Sequence, residues 1–91
     1  MKLRKLSYFI DVVNLRSITK AAKKNNITQC AMSQQMKSIE ETMDALLLIR
    51  TKNEVLPTKA GLIFYAFCEE CLERHHIYRK KIEKISNENL A

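Results

Sequence analysis

The chain contains a single glycine, Gly61, and a single proline, Pro57, among its 91 residues. One glycine cannot build the glycine-rich loop that cradles a phosphate. Paired carboxylates and any nucleophile–base set are also missing, so the chain is expected to be no enzyme and to need no cofactor. No apolar stretch approaches the ~20 residues that span a bilayer. The opening segment MKLRKLSYFIDVV has charges on both sides of a short apolar run and no small-residue cleavage site, so it does not read as a signal peptide. Three cysteines are an odd number in no framework spacing, which suits a reducing cytoplasm rather than a disulfide scaffold. Repeats and low-complexity segments are absent. A chain this short buries only ~60–65% of the surface it exposes when unfolded, and a partner subunit would add to its stability.

What the sequence does have is positive charge, unevenly spread. Residues 1–57 carry ten Lys or Arg against five Asp or Glu, while residues 58–91 carry six against five. The basic excess therefore falls on the first part, which suits a polyanion as partner. Within it, Ser17 to Glu41 reads as two short helices joined by a polar turn. Ser17 caps a helix whose inward residues are Ile18, Ala21 and Ala22. Asn25 and Asn26 supply the turn, because Asn tolerates left-handed backbone angles. Thr28 caps the second helix. Along that helix Met32, Met36, Ile39 and Met43 recur as one apolar stripe. Its other side offers Gln29, Cys30, Ser33, Gln34 and Lys37. A helix that buries one side and presents amides, a hydroxyl and a cation on the other suits a DNA major groove.

Residues 3–15 make a preceding helix with Leu3, Leu6, Phe9, Ile10 and Val13 at helical spacing. It is expected to close a three-helix core with Ala21, Ala22, Ile27, Met36 and Ile39. After Glu41 the segment LLLIRTKNEVLPT suits a two-stranded wing with a polar turn at Thr51 to Glu54, and Pro57 at a strand end. Thr58 then caps a long helix. On it Phe64, Cys68, Cys71, His75, Tyr78, Ile82 and Ile85 recur as a heptad seam. The opposite face is charged, so the seam calls for another helix, and homodimerisation through residues 58–91 is predicted. The fold class is thus mainly α: a winged helix-turn-helix over residues 1–57, followed by a linker helix over 58–91.

These residues resemble the N-terminal DNA-binding domain of LysR-type transcriptional regulators, without gaps from Met1 to the long helix. The matching features are Leu6, Tyr8 and Phe9; S-x-T-x-A-A at Ser17 to Ala22, read with Ile18 as its second residue; T-Q-x-A-x-S-x-Q at Thr28 to Gln35; Ile39 to Glu41; Leu47; Arg50 and Thr51; and T-x-A-G at Thr58 to Gly61. The resemblance implies a cytoplasmic regulator that binds double-stranded DNA, with linker helices paired antiparallel. Carried over residue by residue, it assigns base reading to Gln29, Cys30, Ser33 and Gln34. Backbone contacts go to Ser17, Thr28 and Lys37, and at the wing to Arg50, Lys52 and Asn53. The family's effector-sensing domain would begin where this chain stops, so no small-molecule effector site is expected within it.

Several positions depart from the family pattern. Cys30 stands where Pro is common and Gln34 where Arg is common, which removes a charge-assisted contact. Arg16 and Asp44 replace usual glycines, at a strain of roughly 1–2 kcal/mol wherever φ is positive. Leu48 and Ile49 stand where Phe and Glu are common. Asn53 and Glu54 replace basic residues at the wing tip, where Glu54 would repel phosphates. The cysteines suggest two other uses. Cys68, Cys71 and His75 share a helical face that could hold zinc, but the same residues fill the seam and a structural site usually draws four ligands from more than one segment. Cys30 could act as a redox sensor but has no resolving cysteine near it in sequence. The alternative function is an interaction protein that heterodimerises through the linker helix with a full-length regulator and inhibits it.

Overall fold

The computed structural model describes residues 1–90, and the side chains of residues 1–88. Ala91, the last residue of the predicted linker helix, lies outside the described residues. The elements are α1 (Leu3–Leu15), α2 (Ile18–Lys24), α3 (Gln29–Met43), β1 (Leu48–Arg50), β2 (Val55–Pro57) and α4 (Lys59–Leu90). The predicted wing and four-helix order are thus present.

Local chemistry explains most of the boundaries. Ser17 Oγ accepts from the Lys20 amide and Thr28 Oγ1 from the Ala31 amide, both at 3.0 Å. Each satisfies a helix N–H that has no intrahelical acceptor. Asn26 takes a left-handed conformation, φ 57°, and turns the chain between α2 and α3. Arg16 (φ 53°) and Asp44 (φ 51°) do the same at the C-termini of α1 and α3. Both therefore sit where glycine would be unstrained.

The core gathers Phe9, Val12, Met32, Met36, Ile39, Leu47 and Cys68, with Phe64 of α4 packed edge-on against Phe9 at 4.9 Å between centroids. Met43 departs from expectation. It is exposed, because α3 ends there and the last position of the apolar stripe passes beyond the core. In α1 the buried face includes Tyr8 and Val12, whereas Ile10 and Val13 are only partly covered.

The wing strands pair antiparallel, with Leu48 opposite Pro57 and Arg50 opposite Val55. Thr51 closes the turn: its amide donates to the Glu54 carbonyl at 2.8 Å, and its Oγ1 accepts from the Glu54 amide at 3.1 Å. Pro57 is tolerated at the end of its strand. The wing is then fastened at three places. The Val55 amide donates to the Arg16 carbonyl at 3.1 Å, and the Thr58 amide to the Leu47 carbonyl at 3.0 Å. Glu40 of α3 accepts from the Leu47 and Leu48 amides at 2.7 and 3.2 Å. Thr58 Oγ1 caps α4 by accepting from the Gly61 amide at 2.9 Å and itself donates to the Leu46 carbonyl. A Cβ at Gly61 would overlap the Leu47 carbonyl oxygen, so only glycine permits this approach of helix to wing.

The molecule extends over 56 × 26 × 19 Å, its length set by α4. The heptad seam divides in two. Phe64 and Cys68, counted as seam residues, are buried in the chain's own core, Cys71 is partly covered, and His75, Tyr78, Ile82 and Ile85 are exposed. The part of the seam open to another helix therefore begins near Cys71. Among the described residues no helix is long and apolar enough to cross a membrane, and no group of three His, Cys, Asp or Glu could hold a metal ion.

Candidate nucleic-acid interface

On α3 the residues predicted to read bases lie on the outward side: Gln29, Cys30 and Gln34 are exposed and Ser33 is half-buried. Thr28 and Lys37, at either end of the same side, are exposed, while Ser17 is half-buried at the start of α2. The buried Met32, Met36 and Ile39 anchor the opposite side of the helix. α3 is thus held by Met32, Met36 and Ile39, and over Gln29 to Lys37 its exposed side chains are uncharged apart from one cation, Lys37.

The wing brings its residues alongside. Arg50, Lys52 and Asn53 line an open cleft of about 210 Å³ together with Gln29, Ser17, Arg16 and Glu54. A neighbouring depression is lined by Ser33, Gln34, Lys37, Glu40 and Arg50. Arg50 is common to both. Its Nη1 donates to Ser33 Oγ at 2.9 Å, which ties the wing strand directly to the outward side of α3. Every predicted contact except Thr28 and Cys30 therefore lines one of two adjoining hollows.

Charge is arranged to suit an anion there. Glu40 turns one carboxylate oxygen, Oε2, to the Leu47 and Leu48 amides, and Lys37 has no salt-bridge partner among the described residues. Glu54 lies 3.9 Å from the Arg16 guanidinium. Away from the interface, buried Asp11 accepts from Lys24 Nζ at 2.8 Å and from Asn25 Nδ2 at 2.9 Å. This fixes the α2–α3 turn on α1, because a buried carboxylate is tolerated only when paired.

Sequence reasoning did not find three of these features: Glu40 as the support of the wing, Arg16 as a lining residue of the cleft, and Asp11 as the anchor of the turn. Only Asp11, a charge on the buried side of an amphipathic helix, left a signal in the sequence.

The family description "Bacterial regulatory helix-turn-helix protein, lysR family" matches residues 3–62. The chain is 46% identical over 74 residues to the nitrogen assimilation regulatory protein nac of Klebsiella aerogenes, covering 81% of this chain and 24% of that protein. It thus spans about a quarter of the length of the curated relatives it matches. Two solved structures share its fold. One is the BenM DNA-binding domain in complex with catB site 1 DNA, with a TM-score of 0.88, 35% identity, and coverage of 94% of this chain and 96% of that one. The other is the CbnR DNA-binding domain in complex with DNA, with a TM-score of 0.90, 27% identity, and coverage of 94% and 99%.

Proposed function

The chain belongs to the lysR family of bacterial regulatory helix-turn-helix proteins, and from that premise we propose that it binds operator DNA as a homodimer, in the cytoplasm. Residues 1–57 form the reading unit and residues 58–91 the linker helix. α3 enters the major groove, with Gln29, Cys30, Ser33 and Gln34 toward base edges. Ser17, Thr28 and Lys37 meet the backbone of the duplex, as do Arg50, Lys52 and Asn53 from the wing. The observation that carries this reading is the Arg50–Ser33 hydrogen bond, which makes the wing and the recognition side of α3 one continuous surface. Gln can pair bidentately with adenine, and Ser or Cys can approach a thymine methyl. Gln29 and Gln34, the two exposed amides on this side, pair best with adenine, so A·T pairs are favoured.

Dimerisation is supported by what α4 leaves uncovered. Tyr78, Ile82 and Ile85 are exposed at helical spacing. An apolar cleft of about 450 Å³ opens at the other end of the helix, lined by Met43, Ala45, Ala60, Ile63 and Phe67 among others. An antiparallel second copy offers the first surface to the second.

The test is a salt titration of binding to a short A/T-containing duplex and to a scrambled one, with wild type and Gln29→Ala in parallel. Steep salt dependence is expected, with a sequence preference of about 1–3 kcal/mol that the substitution removes. Equal binding to both duplexes would reduce the interface to a basic surface. Absence of binding at low salt would overturn the reading.

A further inference from the structure

Arg16 lies outside the helix-turn-helix face, yet the fold brings it to the DNA-facing cleft. Its carbonyl accepts from the Val55 amide at 3.1 Å, so the α1–α2 turn is stitched to the wing. Its side chain lines the same cleft as Gln29, Arg50 and Lys52. The cleft thus has three cations and one carboxylate, Glu54, whose Oε2 is 3.9 Å from Arg16 Nη1. Both partners are well exposed, at 66% and 41%, so the pair is loose and screened, and it opens at little cost. A phosphate at this place would meet the guanidinium as a better partner than a carboxylate at long range, because it offers short, charge-assisted bonds.

Resting on the function proposed above, we propose that Arg16 is a further contact to the DNA backbone and that Glu54 is its internal competitor. In the free protein Glu54 occupies the guanidinium; on binding, a backbone phosphate takes its place. Glu54 thereby lowers affinity through Arg16 rather than by repelling DNA on its own. The two mechanisms differ in a measurable way, since only the first makes the effect of one residue depend on the other.

The experiment is a double-mutant cycle of wild type, Glu54→Gln, Arg16→Gly and the double variant, with binding to a short A/T-containing duplex and to a scrambled one followed by anisotropy between about 50 and 200 mM salt. Glycine suits the left-handed backbone at residue 16 (φ 53°), so the variant keeps the fold, and a thermal melt checks this. Glu54→Gln is expected to tighten binding roughly two- to fivefold at low salt, a gain that fades as salt rises. Arg16→Gly is expected to weaken binding and to lower the slope of log K against log salt by about 0.9. In the Arg16→Gly background the gain from Glu54→Gln should largely vanish. An equal gain in both backgrounds would overturn the proposal, as would a wild-type slope in Arg16→Gly. If wild type binds neither duplex at low salt, the proposed function falls and this inference with it. Sequence-preferring binding that ignores residue 16 sinks the inference alone.

Discussion

Two small residues carry more of this structure than their size suggests. Gly61 is needed for its missing Cβ, because the carbonyl of Leu47 occupies that space. Gly61→Ala forces helix and wing apart and is expected to cost about 1–3 kcal/mol in urea denaturation. Cys68 is fully buried in the core, and burial together with the neighbouring Cys71 pushes its thiol up from 9.0 to about 12. The folded chain therefore keeps a proton that the unfolded chain releases above pH 9. Stability is complete below that pH and falls as the pH rises toward 12, by at most roughly 1.4 kcal/mol per pH unit. Melts across this window should show a shallower decline in Cys68→Ala than in wild type. Cys30 is exposed and Cys71 half-covered. A thiol reagent at mildly alkaline pH should label Cys30 first and Cys71 more slowly, leaving Cys68 for the unfolded protein. Rapid labelling of all three would mean that α4 does not pack as described.

Among the elements, the wing depends most on a residue outside it. Leu47 and Leu48 are buried, and their amides have the Glu40 carboxylate as acceptor. Glu40→Ala leaves two buried donors unsatisfied and is expected to cost about 1–3 kcal/mol. Hydrogen exchange at those two amides should quicken, while Glu40→Gln, which retains an acceptor oxygen, should restore most of the protection. The elements themselves were legible because their signals are local. Ser17, Thr28 and Thr58 announce caps, Asn25 and Asn26 a turn, and the Met32–Met36–Ile39 stripe a buried helix side. Links between distant residues were not legible. Nothing in the letters joins Glu40 to Leu47, Arg50 to Ser33 or Lys5 to Ser38, whose Nζ–Oγ bond is 2.7 Å; those pairings exist only once the helices are packed. The outward side of α3 could be read by elimination, since it is what the stripe leaves over. The place of Arg16 could not, because it depends on how the wing folds back.

At the scale of the molecule, periodicity marked a seam on α4 but could not say what covers it. Phe64 and Cys68 turn into the chain's own core, while Tyr78, Ile82 and Ile85 remain open. Ile82→Asp changes an exposed position, so it should lower the mass in sedimentation from dimer to monomer at micromolar concentration. The thermal midpoint should fall only by what the partner contributes and lose its dependence on protein concentration. A wild-type mass of one chain would contradict the pairing. Phe64 and Tyr65 fasten the first turns of α4 to α1, and Gly61 lets them pack against the wing, so the N-terminal unit is tied to its rod on two sides. In an antiparallel pair the two rods then behave like the sliding bars of a caliper, with a reading helix fixed on each jaw. A slip of one heptad would change the gap by about 10 Å, close to three base pairs of duplex. The open residues of α4 would therefore set the spacing of the DNA sites that such a pair can grip, without touching the DNA.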